Sequence, residues 1–325
     1  MERSAALRSA AVRRALRHVA LTAFAVVAVV AASVAVRSAV DAPGPTGELQ
    51  AVESPLEFVR LLPGVLRPVG VAVSPDGRIV VTDSTTPLAK AFVPGGYDVV
   101  LEPAAREPEE PATSPFGVAV DEAGDIYVSD PTRKEVLVYR SGDLNPRPFA
   151  GPEWDGRIPG ALFARDGRLY VADIGNHQIV VIDIARERLT AVIGTGQGGG
   201  PTELRYPNGV WVDRDGVVYV SDTNNDRIQR FRPDGSAISS WQGPFRNPRG
   251  LAGDGNGRLF VANTLAHEIL VIDNAGQVTG RVVRAGSREI GFPTGLAVAG
   301  DRLFVTDRDA QGVFEWRLTE ERRTP

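Results

Sequence analysis

The 325-residue chain contains no cysteine, one methionine, three histidines and two lysines. The absence of cysteine excludes disulfide scaffolds, thiolate zinc sites and cysteine nucleophiles. The abundant residues point elsewhere: 35 glycines and 24 prolines predict a chain rich in turns. Because 43% of the residues are hydrophobic and only 23% are charged, the chain has enough apolar side chains for a core and is not intrinsically disordered.

Charge is distributed unevenly along the chain. Residues 1–37 carry six arginines against Glu2 alone, a sum of +5, so the net charge of −4 leaves −9 on the remainder. An acidic body disfavours binding to nucleic acid, which requires a basic surface. No nucleic-acid partner is therefore expected.

One run of 18 uncharged residues, at positions 19–36, follows five arginines. At 1.5 Å per residue, such a helix would just cross a thin hydrocarbon core of about 27 Å. The positive-inside rule then predicts a basic cytoplasmic segment at 1–18, a span at 19–36 and a periplasmic or extracellular remainder, anchored in the cytoplasmic membrane. Two alternatives are a cleaved signal sequence, with a small-x-small site at 33–35, and a twin-arginine signal at 13–14. Residues 37–55, rich in Pro and Gly, are predicted to form a tether.

A single pattern occurs six times further along the chain. The copies are PVGVAVSPDGRIVVTD (68–83), PFGVAVDEAGDIYVSD (115–130), IPGALFARDGRLYVAD (158–173), PNGVWVDRDGVVYVSD (207–222), PRGLAGDGNGRLFVAN (248–263) and PTGLAVAGDRLFVTD (293–307). Their glycines are spaced by 47, 43, 49, 41 and 45 residues. Repeats of this length are typical of propeller blades.

Each copy predicts a β-hairpin, because a tight turn separates two β-branched or apolar runs. Third strands follow, as at 178–184, 227–233 and 268–274, and fourth strands, as at 189–194 and 236–241. Six four-stranded sheets with two apolar faces each predict an all-β, six-bladed β-propeller over residues 56–318, with a polar tail at 319–325. The last blade lacks an outer strand, and we expect residues 56–62 to supply it beside 312–318.

The repeat, together with Asn225-Asp226-Arg227-Ile228-Gln229-Arg230-Phe231, resembles the NHL repeat. This resemblance covers about 80% of the chain and implies the six-bladed fold. With the predicted anchor, the chain is similar to the membrane-anchored NHL ectodomains that act as extracellular sensors of some bacterial kinases. Since only a short segment precedes the span, signalling would require a partner in the membrane.

Three motifs have structural interpretations. The G-x-G-x-x-G at 194–199 follows a strand but leads into PTELRYPNGV instead of a helix, so it is expected to be an inter-blade loop and not a dinucleotide site. The aspartates that end the second strands should accept backbone N–H bonds from the following turn. His177 and His267 occupy equivalent turns of non-adjacent blades, too far apart to share a metal ion. No cofactor is expected.

Two enzyme families are similar to the chain. The resemblance to an amidating lyase would require zinc-binding histidines between the Pro and Gly of the motif, where this chain has Val69, Phe116, Pro159, Asn208, Arg249 and Thr294. Gluconolactonase-like propellers are a nearer alternative, because the resemblance makes Asn208 a metal ligand. That hydrolase would hold a divalent cation in the central channel, although Arg249 and Thr294 stand where an acidic ligand would help.

The remaining candidate site is a surface. The loop before the first strand and the turn after the second strand should open on one face of each blade. Five arginines fall there and could bind carboxylates or phosphates: Arg67, Arg157, Arg205, Arg246 and Arg249. Phe116 and Tyr206 would add stacking contacts. The sequence thus favours a binding or scaffolding module over an enzyme. The expected partner is a protein or peptide, and a membrane complex is one such partner.

Overall fold

The computed structural model describes residues 56–86, 89–93, 99–101, 114–143 and 145–319, which all belong to one compact unit, Val52–Pro325. None of the helices within these ranges is long and apolar enough to cross a membrane. The span or signal predicted at 19–36, the tether at 37–55 and most of the polar tail lie outside the described residues.

The described part of the chain consists almost entirely of antiparallel strands. After β1 (Leu56–Pro63), five consecutive four-stranded sheets follow. They are β2 (Pro68–Val73), β3 (Ile79–Asp83), β4 (Ala89–Phe92) and β5 (Val99–Leu101); β6 (Val118–Val120), β7 (Ile126–Asp130), β8 (Glu135–Tyr139) and β9 (Arg147–Phe149); β10 (Pro159–Arg165), β11 (Arg168–Asp173), β12 (Gln178–Asp183) and β13 (Arg188–Ile193); β14 (Pro207–Val212), β15 (Val218–Asp222), β16 (Arg227–Phe231) and β17 (Ala237–Gln242); and β18 (Pro248–Gly253), β19 (Leu259–Asn263), β20 (Glu268–Ile272) and β21 (Val278–Val282). A small hairpin, β22 (Arg284–Ala285) and β23 (Arg288–Glu289), precedes β24 (Pro293–Ala299), β25 (Arg302–Asp307) and β26 (Gly312–Leu318).

The sixth sheet is closed by the first strand of the propeller. Its order is β1-β26-β25-β24, and β1 runs antiparallel to β26 with Leu56 opposite Leu318 and Pro63 opposite Gly312. The innermost strands contact one another in a closed ring, β2 to β6, β10, β14, β18, β24 and back to β2. The six-bladed β-propeller and its closing strand, both predicted from the sequence, are thereby confirmed.

Each pair of neighbouring blades encloses a hydrophobic cluster of its own, and there are six such clusters among the described residues. Four of the six second strands are buried at every residue, for example Val218–Asp222 and Leu259–Asn263, and the other two are buried at all but their first residue. A small sheet sandwiched between two others buries both faces. This packing explains why the strands are apolar throughout instead of alternating with polar residues.

The motif glycine is required because adjacent blades approach closely at the channel. A Cβ built on Gly70 would lie 2.8 Å from the carbonyl oxygen of Phe116, and one on Gly209 would overlap the carbonyl of Arg249. A side chain from the second strand joins the same blades. Thr82 accepts a hydrogen bond from the N–H of Gly70 (2.9 Å) and donates its hydroxyl to Phe116 O (2.6 Å).

Candidate functional site

One face of the propeller, which we call the loop face, carries both the loop before each first strand and the turn after each second strand. Backbone hydrogen bonds join the two segments: Asn224 N–H donates to Arg205 O (3.0 Å), and Arg308 N–H donates to Phe292 O (3.1 Å). The expected common face of these segments is confirmed. Every arginine proposed from the sequence therefore belongs to the same side of the propeller.

An aspartate ends five of the six second strands and organises these loops, and Asn263 takes its place in the fifth blade. Asp307 accepts hydrogen bonds from the N–H groups of Gly291, Phe292, Asp309 and Ala310, at 2.9 to 3.3 Å. Asp222 similarly accepts the N–H of Arg205 at 2.5 Å. The predicted acceptance of N–H groups from the following turn is confirmed for Asp307, whereas Asp222 accepts from the loop before the first strand.

The central channel opens on this face and is narrow. Its free volume is about 60 Å³, and five of the six positions between the motif Pro and Gly line it. These are Val69, Phe116, Asn208, Arg249 and Thr294. Organic ligands usually occupy pockets of at least ~300 Å³. A larger ligand would therefore contact the mouth of the channel and not its interior.

The five arginines expected to form a ring fall into three groups. Arg67, Arg205 and Arg246 are exposed, and none of the three side chains has an ion pair with another described residue. Arg157 donates to Asp173 Oδ2 (2.9 Å) and to Glu153 O (3.1 Å), so its guanidinium is already occupied. The fifth arginine, Arg249, lines the channel.

Arg249 is held beside an aromatic ring and a second arginine. Its Nε donates to Asn247 Oδ1 at 3.1 Å, and its guanidinium carbon lies 5.3 Å from the ring centre of Phe292. Arg308 lies over the same ring at 5.0 Å. Burial, together with the smaller effect of the charge of Arg308, lowers the pKa of Arg249 to about 10. Burial also lowers the pKa of Arg308, as does the nearby charge of Arg67.

Arg308 and Phe292 are the site residues that the sequence analysis missed. Neither lies within the repeated hairpin, and Arg308 is 59 positions after Arg249. The available signal was that Phe292 directly precedes the sixth motif proline and that Arg308 directly follows Asp307. By the topology of a blade, both positions belong to the loop face.

The two aromatic residues proposed for stacking have different surroundings. Phe116 lines the channel, whereas the ring of Tyr206 meets that of His177 edge to face, with 4.5 Å between centroids. Tyr206 N–H also donates to His177 Nδ1 at 3.1 Å. Burial lowers the pKa of His177, and the charge of Arg205 acts in the same direction. Only the Phe116 ring therefore faces the channel.

The glycine-rich loop is an inter-blade connection, as predicted, and it is fastened by the fourth blade. Arg227 is buried and donates to Asp222 Oδ2 (2.6 Å) and to the carbonyl oxygens of Gly199, Gly200 and Glu203 (2.8 to 2.9 Å). The element that follows this loop is the strand β14, not a helix, so the loop lacks the phosphate-binding geometry of a dinucleotide fold.

Residues that could hold a metal ion do not converge. In the part of the chain that the structure describes, no three His, Cys, Asp or Glu side chains form a group suited to a metal. At the channel, the amide Nδ2 of Asn208 donates to Tyr206 O at 3.1 Å. The side chain thus presents its oxygen without a neighbouring carboxylate among the channel-lining residues.

A wider groove of about 670 Å³ lies on the loop face between the fourth and fifth blades. Arg246 lines it together with Asp226 and the ion pair formed by Glu268 and Arg281, whose closest atoms are 2.7 Å apart. The volume is in the range of ligand pockets, and both charge signs are present. This groove could therefore hold a peptide side chain of either charge.

Comparison with known sequences identifies the repeat. Residues 66–86 and 204–231 match the NHL repeat family. A 76-residue stretch is 34% identical to Protein SUPPRESSOR OF QUENCHING 1, chloroplastic, from Arabidopsis thaliana, covering 22% of this chain and 7% of that protein. A 197-residue stretch is 26% identical to a gluconolactonase from Zymomonas mobilis, covering 54% of this chain and 53% of the relative. The chain thus spans about half the length of the gluconolactonase and less than a tenth of the length of the Arabidopsis protein.

Solved structures with the same fold have diverse roles. A gluconolactonase from Xanthomonas campestris is 18% identical with a TM-score of 0.62, covering 85% of this chain and 99% of that chain. A catalytically inactive virginiamycin B lyase from Staphylococcus aureus is 15% identical with a TM-score of 0.59, covering 79% and 83%. A chain of a nidogen/laminin complex is 18% identical with a TM-score of 0.56, covering 71% and 84%. At these identities the likeness establishes the fold alone.

Proposed function

Because the chain is a six-bladed β-propeller that carries NHL repeats, we propose that it is a binding or scaffolding module that captures a protein, peptide or anionic ligand on its loop face. The observation that carries this proposal is the set of loop-face guanidinia that have no carboxylate partner. Arg67, Arg205, Arg246 and Arg249 are available for an external anion. Several other arginines are bound to the chain's own carboxylates, for example Arg227 to Asp222 and Arg157 to Asp173.

Apolar side chains on the same face favour a polypeptide partner. Leu66 is 56% exposed and Leu265 is 39% exposed, and each directly neighbours a residue of a loop-face hydrogen bond. Exposed apolar side chains beside arginines are typical of protein interfaces. A purely ionic ligand would gain nothing from these two leucines.

The location of the module is part of the proposal. The uncharged run at 19–36 and the arginines before it support a chain anchored in the cytoplasmic membrane with its N-terminus inside. The propeller would then lie in the periplasm or outside the cell, tethered through residues 37–55. A membrane protein or complex is accordingly one class of partner.

Site-directed photocrosslinking tests the binding function. A photoreactive amino acid replaces Arg246 on the loop face or Asp215, an exposed residue in the turn of the fourth hairpin, in full-length chain within its own membranes. We expect a discrete adduct from position 246 and none from position 215. Replacing Arg205 and Arg249 together by alanine should weaken the adduct while leaving thermal stability nearly unchanged. Equal labelling from both faces, or full adduct yield in the double variant, would contradict the proposal.

A metal-dependent lactonase-like hydrolase is the second candidate, favoured by the 26% identity to a gluconolactonase over 54% of the chain. Asn208 would be its channel ligand. The residues present fit a divalent cation poorly, because Arg249 and Thr294 are the neighbouring motif residues and the channel wall offers no carboxylate. Metal analysis of the purified full chain, with Asn208→Ala as the control, decides the matter. A stoichiometric divalent ion that is lost in Asn208→Ala would favour the hydrolase.

A further inference from the structure

Arg249, which lines the channel, and Arg308 place two guanidinia beside the same aromatic ring. Both lie over the ring of Phe292, at 5.3 and 5.0 Å, although they come from different blades. Neither makes an ion pair with another described residue. Two like charges placed together repel each other, and partial burial strengthens that repulsion. The arrangement therefore lacks a counter-charge within the described chain.

Other partly buried arginines near the loop face are neutralised internally. Arg227 pairs with Asp222 at 2.6 Å, and Arg157 pairs with Asp173 at 2.9 Å. Against this background the Phe292 pair is an exception. Among the residues that the structure describes, the acidic group whose charge bears on Arg308 is the exposed Asp309, which directly follows it in the chain.

The donors available at this position distinguish between classes of anion. The N–H groups of the surrounding loops already donate to Asp307 or to Phe292 O; they are those of Gly291, Phe292, Arg308, Asp309 and Ala310. Phosphate sites usually recruit several free backbone N–H groups in addition to side chains. Here the guanidinia supply the donors, and a planar guanidinium matches a planar carboxylate through two parallel bonds.

The Nε atom of Arg249 is already engaged by Asn247. The two terminal nitrogens of Arg249 have no partner among the described residues, and Arg249 lines the channel. A carboxylate bound beside Arg249 could therefore accept hydrogen bonds from both terminal nitrogens. Arg308, from the sixth blade, would then also neutralise the negative charge of that carboxylate.

The geometry points to a carboxylate-binding site formed by Arg249, Arg308 and Phe292 at the mouth of the channel. It receives a single carboxylate group, such as an acidic side chain or a chain terminus of the bound polypeptide. This assignment rests on the proposed binding function and deepens it, because it names the chemical group that the loop face recognises.

Calorimetric titration of the full-length chain tests the site with defined probes. N-acetylglycine supplies one carboxylate, N-acetylglycinamide is its neutral counterpart, and inorganic phosphate is the competing anion. We expect saturable binding of the acid, no binding of the amide, and weaker binding of phosphate. Arg249→Gln and Arg308→Gln should each reduce affinity for the acid by about tenfold, since each removes charge-assisted hydrogen bonds.

Arg168→Gln is the matched control, because Arg168 is an exposed arginine at the turn of the third hairpin, outside the loop face, and should change affinity less than about twofold, as expected for a solvated charge. If Arg249→Gln does not fold, Arg308→Gln carries the test, as Arg308 lines no part of the channel wall. Equal binding of acid and amide, preferential phosphate binding, or an equal loss in Arg168→Gln would overturn the assignment. The titration needs no partner, so its failure leaves the photocrosslinking result standing. Absent adducts with intact carboxylate binding would instead overturn the proposed function.

Discussion

The imidazole of His177 is buried on the loop face, and its protonation is expected to change the stability of the fold. Its Nδ1 accepts the N–H of Tyr206, and burial lowers its pKa below the ordinary value. Between the folded and unfolded pKa values, the unfolded chain binds more protons than the folded chain. Stability contributed by neutral His177 is therefore present above about pH 6.5 and is lost as the pH falls towards the folded value.

We predict that His177→Asn reduces the fall in melting temperature between pH 7 and pH 5. Asparagine tolerates the left-handed backbone at this position, where φ is 57°. His267→Asn is the control, since His267 has the equivalent turn and a φ of 56°. Scanning calorimetry of the three chains checks the prediction. Parallel pH profiles for wild type and His177→Asn would contradict it.

At the end of the second strand, the residue type in the fourth and fifth blades depends on the charge of the side chain five positions later. Asp222 in the fourth blade pairs with Arg227, whereas the fifth blade has Asn263 and Glu268 in those places. Asn263 donates its amide to Glu268 at 2.7 Å, and Arg281 donates to the same carboxylate. An aspartate at 263 would face Glu268 as a like charge. The single Asn among the second-strand ends is thus explained by the reversed sign of its neighbour.

The contact between adjacent first strands is the element on which the ring depends. Gly209 has no room for a methyl group beside the carbonyl of Arg249. The same carbonyl accepts the hydroxyl of Ser221, so two blades are joined at one peptide group. A displacement there would also move the Arg249 side chain at the channel mouth.

Gly209→Ala is expected to lower the free energy of unfolding by about 1–3 kcal/mol, because the added methyl forces the fourth and fifth blades apart. Gly199→Ala is the matched control, since a Cβ at Gly199 meets nothing within 4 Å. Denaturant titration should place the control within about 0.5 kcal/mol of wild type. Similar losses in both variants would show that the blade contact is not the cause.

Elements with a local signal were predictable from the sequence. The hairpins and the strand at 312–318 coincide with the structure because continuous apolar runs and turn glycines are local properties. Gly216, for example, has a φ of 80°, which the Asp-Gly turn requires. The Arg249 and Arg308 pair was not predictable, because its members meet only after two blades pack. The ion pair between Arg157 and Asp173 was likewise not predictable, because the direction of the Arg157 side chain does not follow from the sequence spacing of the repeats.

At the scale of the whole propeller, one strand closes the ring. Phe58 of β1 packs edge to face against Phe314 and Trp316 of β26, at 6.2 and 6.1 Å. Arg60 donates to the buried Glu315 at 2.7 Å. These contacts cover an edge that would otherwise expose unpaired backbone groups.

A chain that begins at residue 64 should be less stable than one that begins at residue 56, by on the order of 3–5 kcal/mol. The estimate follows from the lost burial of Leu56, Phe58 and Leu61. The shorter chain should also self-associate, because the edge of β26 is uncovered. Thermal unfolding and sedimentation of both chains provide the measurement. Matching stability would show that β1 is not needed for closure.

The pairing of β1 with β26 also imposes an order of events on biosynthesis. Arg60 and its acceptor Glu315 are 255 positions apart. At a synthesis rate of roughly 5–20 residues per second, that interval corresponds to about 13–50 s. During this interval the apolar strand β1 is exposed on the nascent chain, because its partner strand β26 has not yet been synthesised. Chaperone demand should consequently peak before translation terminates, at the earliest-made part of the propeller and not at its newest.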